Sequence, residues 1–343
     1  MVKETFSIII AVLLVSLLLG CDGEEGTPTA IKLVPQKANM IGHIDLSQIL
    51  EDEDIAALYE AMPIEPGDPQ TLDEALDLAL EGIGLDLMDF REGLIFGGIS
   101  EATGAMDYGG IVIKGTFKES DLIAGIKSGI GEELTTISYK GYEISTDYDE
   151  EMGIASLGSD VFVIGSMEAV KDVIDVKQGA QPAISSKLLD AYNDLADGLV
   201  QVAILVPPGA IEEGLQGFAS ELPMELPMEL PMELPLDALT NMDTVGITLA
   251  KEEQSITASL KLCFTDSDSA EAVENMLNAA IGFASLMTDI PEEGQALLEN
   301  LLGNLDVSVS DSCLDISLEM TMSEVESLIQ GLFMISSFEI GTT

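Results

Sequence analysis

The sequence predicts an α+β fold of two related halves, each a mixed or antiparallel sheet with helices packed on one face. Three observations predict it: enough apolar residues for a sizeable core, an internal duplication, and short turns between neighbouring strand-like stretches. The chain is 343 residues long, 47% apolar, and carries a formal net charge of −49. Disordered chains combine high net charge with low hydrophobicity, so this apolar content argues for a folded protein. The length suits two ordinary domains. Aromatics are 5% and Trp is absent, so the core has to be aliphatic, with 16 Met as adaptable filler.

The duplication is the most informative pattern. Ile113-Lys114-Gly115-Thr116-Phe117-Lys118-Glu119-Ser120-Asp121 aligns with Leu260-Lys261-Leu262-Cys263-Phe264-Thr265-Asp266-Ser267-Asp268. Each stretch follows a strand pattern and precedes a helical one, so the shared Ser-Asp pair reads as helix-capping chemistry. Phe96-Gly97-Gly98-Ile99 corresponds in order to Thr244-Val245-Gly246-Ile247. Strands starting at Met40 and Val200 open the halves, and helices starting at Met167 and Met322 close them. Thr71-Leu72-Asp73-Glu74 and Thr321-Met322-Ser323-Glu324 are capping boxes, marking two helix starts. Each half therefore reads strand, helix, two strands, helix, two strands, helix, with residues 38–198 as the first half and 199–343 as the second. Short turns between strands favour antiparallel pairing.

Residues 6–19 form an apolar run interrupted only by Ser7 and Ser16. That is the length of a signal-peptide core and short of the about 20 residues a spanning helix needs. Leu18-Leu19-Gly20-Cys21 follows directly and is similar to the lipobox of bacterial-type lipoproteins. The resemblance implies removal of residues 1–20, a lipid on Cys21, and an extracytoplasmic protein anchored to the cell membrane. Stable anchoring takes two acyl chains or more, at about 0.8 kcal/mol per buried methylene. Residues 21–37 then read as a tether. Lipidation of Cys21 leaves Cys263 and Cys313, both in expected strands of the second half, and outside the cell such a pair can form a disulfide.

Sixty-two acidic residues stand against 13 basic ones. Nucleic acid is thereby excluded as a partner, because affinity there comes from Lys and Arg neutralising phosphates. Anionic lipid surfaces are disfavoured for the same reason, so membrane contact requires the lipid. The charge reads as a solubilising surface, with loose calcium binding as the functional alternative. Asp147-Tyr148-Asp149-Glu150-Glu151 and Glu51-Asp52-Glu53-Asp54 are the stretches that could take it, and neither has EF-hand spacing.

Residues 221–236 read ELPM-ELPM-ELPM-ELPL. Proline at every fourth position opposes a helix, so an extended surface insertion is expected. A partner-binding strip of Leu and Met is the alternative reading. Thioether capture of Cu(I) by Met224, Met228 and Met232 is chemically conceivable.

No catalytic residues are identified. The single histidine, His43, sits in an expected strand with no nucleophile and orienting group indicated around it. Gly98-Ile99-Ser100-Glu101-Ala102 approaches a nucleophile elbow but lacks the strand-to-helix setting. The P-loop signature is missing, and one His with two spare Cys makes a zinc site unsupported. Paired carboxylates remain open, since spacing alone cannot select a pair.

Val34-Pro35-Gln36-Lys37-Ala38-Asn39 leading into Met40–Leu46, and Val161 to Val170 with Ile174-Asp175 and Gln181-Pro182, together resemble a family of exported prokaryotic proteins known only as a domain of unknown function. The resemblance spans about residues 34–205 and implies an envelope protein with no established activity and no site residues to carry over. The expectation is a non-catalytic envelope lipoprotein that binds or scaffolds an unidentified protein or small-molecule partner, in the groove between the halves. A solute-binding lipoprotein of a transporter and a carboxylate-dependent hydrolase are the alternatives.

Overall fold

The computed structural model describes residues 29–62, 64, 68–83, 86–99, 106–130, 134–211, 235–285 and 292–329. After a 3-10 turn at Thr29–Leu33 come β1 (Met40–Ile44), α1 (Leu46–Glu51), α2 (Glu53–Ala61) and α3 (Leu72–Ile83). The hairpin of β2 (Phe90–Ile99) and β3 (Met106–Gly115) leads to α4 (Glu119–Ile130). Four strands follow: β4 (Thr135–Tyr139), β5 (Tyr142–Thr146), β6 (Met152–Ser156) and β7 (Val161–Ser166). Then come α5 (Met167–Lys177), α6 (Ser186–Asn193) and β8 (Val200–Leu205). The remainder is α7 (Leu236–Thr240), β9 (Met242–Glu252), β10 (Ser255–Phe264), α8 (Ser267–Ala284), α9 (Glu292–Gly303), β11 (Leu305–Ser310), β12 (Cys313–Thr321) and helical residues 322–329. Among the described residues, no helix is long and apolar enough to cross a membrane.

The twelve strands of the described residues form one antiparallel sheet, ordered β11-β12-β10-β9-β8-β1-β2-β3-β7-β6-β5-β4. The class is therefore α+β, but the two expected sheets are one. The strands that open each half pair with each other, from Met40 opposite Ile204 to Ile44 opposite Val200. Each half's first strand offers an unpaired edge, and joining them removes two edges at once. The order β1-β2-β3-β7-β6 on one side of this seam is repeated as β8-β9-β10-β12-β11 on the other. The first half adds the β4–β5 hairpin, closed by Lys140 and Gly141 at φ 49° and 87°, the left-handed pair that a two-residue type I′ turn requires.

The first half carries helices on both faces, where one was expected. On one face Leu94, Val112 and Val163 pack with Val170, Val173 and Ile174 of α5 and Leu188 of α6, all fully buried. On the other, Phe90, Ile113 and Phe162 pack with Phe117 and with Leu122 of α4. The cause is visible in the strands. β3 carries Ile111-Val112-Ile113 and β7 carries Val161-Phe162-Val163-Ile164, apolar on both sides, so both faces need cover. In the second half β11 reads Leu-Asp-Val-Ser-Val-Ser, which alternates strictly, and α8 covers only the apolar side through Ala270 and Val273.

The helix starts are set by caps. Thr321 Oγ1 accepts from Glu324 N at 3.3 Å while Glu324 Oε2 accepts from Thr321 N at 2.8 Å, a reciprocal capping box. Thr71 Oγ1 accepts from Glu74 N at 3.1 Å, and Glu74 returns a bond to Gln70 N rather than to Thr71 N. The cap expected at Ser267-Asp268 corrects by one position. Asp266, one residue earlier, caps α8 by accepting from Ser269 N at 2.8 Å, and Ser267-Asp268 fill the first turn.

Candidate functional site

His43, the only histidine, lies at the seam. It stands opposite Gln201 of β8 and Leu94 of β2, and the two-residue period puts Glu92 on the same face. Gln201 hydrogen-bonds the imidazole, accepts from Tyr192 Oη at 2.8 Å, and donates to the Ala196 carbonyl at 2.8 Å. Burial lowers the His43 pKa, against opposing pulls from Asp45 and Gln201. Burial raises the Glu92 carboxyl, against the pull of Lys114 and reinforced by Asp45. His43 Nδ1 and Glu92 Oε1 are buried with no hydrogen-bond partner among the described residues. These groups form a buried polar cluster within an apolar wall. The imidazole's partner is an amide rather than a nucleophile, so the contact that activates acyl transfer is not formed here. Ser100, of the elbow-like stretch, lies outside the described residues.

A second polar cluster crosses the outer side of α5. Asp175, 7% exposed, accepts from Lys140 Nζ at 2.7 Å and from Tyr139 Oη at 3.3 Å. Asp172 accepts from Tyr108 Oη at 3.1 Å and from Gln181 Nε2 at 3.0 Å. Burial first, and then the Asp172 carboxylate, push the Tyr108 phenol far above its ordinary range. Lys37 sits over the Tyr108 ring at 4.2 Å and pairs with Glu168. These acids accept from the donors around them, tying β4, α5 and the N-terminal turn together.

Three acids of the stretches considered for calcium have partners of the same kind. Asp147 Oδ1 accepts from Glu151 N at 2.9 Å, forming the turn between β5 and β6. Asp52 caps α2 and, with Asp54, pairs with Lys251, which is 5% exposed in the side chain. Among the described residues, no group of three or more His, Cys, Asp or Glu is placed to hold a metal ion. An open depression of about 530 Å³ collects Asp306, Glu319 and Glu324. Glu324 is held below the usual carboxylate range by its bonds from Thr321, so it is a helix cap and a poor proton donor.

Cys263 and Cys313 are joined as a disulfide. They stand directly opposite each other on β10 and β12. The next pair is hydrogen-bonded, Phe264 N donating to Ser312 O at 2.9 Å, so the bridge occupies a non-hydrogen-bonded position, where side chains come closest. Cys21 and the Met224, Met228 and Met232 repeat lie outside the described residues.

The groove expected between the halves is not formed at the seam, because β1 and β8 are hydrogen-bonded neighbours there. The face opposite the α5–α6 layer is helix-covered: Ile95 and Val202 pack with Ile49, Ile55, Leu58 and Val325, Ile111 with Phe117 and Leu122, and Ile316 with Ala270 and Val273 of α8. Ile111, Ile95, Val202, Ile247, Leu260 and Ile316 are aligned by register across β3, β2, β1, β8, β9, β10 and β12, with Gly42 as the β1 member. None of the six is fully buried, and Ile247 is 42% exposed in the middle of its strand. On the opposite face Val112, Leu94 and Ala203 are each 0% exposed, while His43 beside Leu94 is only partly buried.

No protein-family model and no curated protein matches the sequence. Among solved structures the chain is similar to TP0453. Crystal form III matches at 11% identity and a TM-score of 0.45, covering 89% of this chain and 98% of that one. Form I matches at 10% and 0.43, covering 90% and 100%, and form IV at 10% and 0.44, covering 87% and 95%. At this level the likeness bears on no residue and no activity.

Sequence reasoning missed Glu92, Gln201 and Tyr192. A signal existed for Glu92, which stands two and four residues before Leu94 and Phe96 on one side of a strand. The Tyr108–Asp172 and Tyr139–Asp175 contacts join residues 64 and 36 positions apart and had no local signature.

Proposed function

We propose that this chain is a lipid-anchored extracytoplasmic envelope protein, non-catalytic, that binds or scaffolds a partner. The observation that carries the anchor is Cys21, placed directly behind an apolar leader in a lipobox-like sequence. The non-catalytic part is supported by how the fold uses its chemistry. His43 is tied to an amide, Asp175 to Lys140 and Tyr139, Asp52 to Lys251, and Glu324 to a cap. The matching strand orders on either side of the β1–β8 seam support the duplication of one ancestral half. The solute-binding reading needed two halves able to close on a ligand, and a shared sheet opposes that motion. The test is mass spectrometry of native membrane-fraction material. An acylated Cys21 at the new N-terminus is expected, with Cys21→Ser moving the protein to the soluble fraction. Intact Met1 with an unmodified thiol would reject the anchor, and turnover of any substrate in a hydrolase panel would reject the non-catalytic reading.

A further inference from the structure

The strand order ends at β11, which has β12 on one side and no strand on the other among the described residues. Glu319 N donates to Asn304 O at 3.3 Å at the start of this ladder, and antiparallel ladders alternate hydrogen-bonded with open pairs. Register then pairs Asp306, Ser308 and Ser310 with β12 through their backbone groups and turns those of Leu305, Val307 and Val309 outward. We propose that this free edge binds an extended cationic segment of another protein by strand addition. The inference rests on the reading of a partner-binding protein and names the chemistry of that partner.

Sheet edges are ordinarily blunted by Lys, Pro, a bulge or a covering element. Leu305–Ser310 holds neither Lys nor Pro, and its register with β12 runs without a shift. The opposite edge differs: Lys140 directly follows β4, and Lys140 and Lys171 both stand near the Tyr139 ring. A strand added to an edge gains main-chain hydrogen bonds for affinity and alternate side-chain contacts for specificity. On one side of β11, Val307 and Val309 are half-buried with Ala270 and Val273 of α8 and offer an apolar flank. On the other side stand Asp306, Ser308 and Ser310, all exposed, with Asp315 opposite Ser308. The segment that fits therefore alternates apolar with basic residues.

Charge selects the occupant. From residue 199 onward the basic residues are Lys251 and Lys261, and Lys251 pairs with Asp52 and Asp54. Lys261 stands opposite Asp315. The open depression of about 530 Å³ at the start of β11 is lined by Leu305 together with Asp306, Glu319 and Glu324, and so suits a basic side chain at that end of the added strand. Asp306 sits on the edge strand itself, where it repels acidic strands and draws in basic ones. A second copy of this chain is acidic at the same place and carries −49 overall, so two such edges repel.

The test titrates the intact chain into a fluorescent peptide of alternating Lys and Val and follows anisotropy at physiological salt. Methylating alternate backbone nitrogens of the peptide keeps its charge and removes its edge donors. Binding should then weaken by about tenfold or more, the factor of a lost hydrogen bond whose partner is left unpaired. Proline is tolerated on edge strands where the N–H faces solvent, so Val307→Pro removes one outward donor and should weaken binding by about the same factor. Amide exchange at Leu305, Val307 and Val309 should be fast in the free chain and slow once peptide is added. No binding, or equal binding of the methylated peptide, overturns the proposal, the latter because charge attraction alone then suffices. Slow exchange at those amides in the free chain overturns it too, since a second copy or another part of this chain then covers the edge, as does exchange unchanged by the peptide. If Val307→Pro fails to fold by circular dichroism, the methylated peptide and the exchange pattern decide. Failure here with Cys21 acylated and no turnover leaves a partner-binding lipoprotein whose contact lies elsewhere, so the two readings fail separately.

Discussion

Leu94 and Ile95 are neighbours on β2 that point to opposite faces, and replacing each by Ala tests the two-faced reading of the sheet. Leu94 is 0% exposed, opposite His43 and Val112, under the layer formed by α5 and α6. Leu94→Ala removes three buried carbons, about 2.4 kcal/mol of transfer free energy at roughly 0.8 kcal/mol per methylene. The enclosed cavity left behind brings the loss to about 3–4 kcal/mol. Ile95 is only partly buried. Ile95 packs at the edge of the cluster of Ile44, Ile49 and Leu58, so Ile95→Ala forfeits roughly half the transfer term, a loss of about 1–1.5 kcal/mol. The difference of about 2 kcal/mol is a roughly 30-fold difference in the folding constant. Urea unfolding followed by circular dichroism reads it as a shift in midpoint at constant slope. Equal losses, or a larger one at Ile95, would refute the register, because a slip of one residue exchanges the two faces.

Glu92→Gln should raise the urea midpoint at pH 7.5 and leave it unchanged near pH 4. The folded carboxyl titrates above its ordinary 4.5, so its cost is absent below that pH and grows as pH rises through the folded value. His43 has the opposite sign for an opposite charge. Its folded pKa lies below 6.5, so stability falls as pH drops through 6.5 toward the folded value, and His43→Gln should abolish that part of the acid titration. Lys251→Met removes the ammonium that pairs with Asp52 and Asp54. A loss of about 2 kcal/mol is expected in the same assay, below the roughly 3–5 kcal/mol of a fully buried pair because Asp54 is 42% exposed. Replacing both Cys263 and Cys313 by Ser opens a loop of 50 residues. The chain-entropy model puts that loss at roughly 4 kcal/mol, and an unchanged midpoint for the non-reduced parent and the double variant would contradict it.

Local chemistry was legible where it acts over a few residues. The helix starts at Thr71 and Thr321 are capped from within their own four-residue spans, reciprocally only at Thr321, and the strand and helix flanking each Phe-x-x-Ser-Asp stretch appeared where the pattern placed them. The cysteine pair was legible as a possibility, and the register of β10 on β12 made it a bond. The hidden part of the polar clusters was relational. Asp175 reads as one acid in 62 until a hairpin turning at Gly141 carries Tyr139 and Lys140 over α5.

By itself the sequence, which reads two strands where residues 134–166 hold the four from β4 to β7, determined only the strand starts at Met40 and Val200 and the capped helix starts at Thr71 and Thr321. Each of these depends on residue type and on spacing within one turn or one strand. Only the tertiary structure decided that the halves share a single sheet, that the first half is covered on both faces, and that His43 and Glu92 lie in the wall of the core. Those outcomes depend on which strand edges meet, and a strand's edge is made of backbone groups that are alike in every residue except proline.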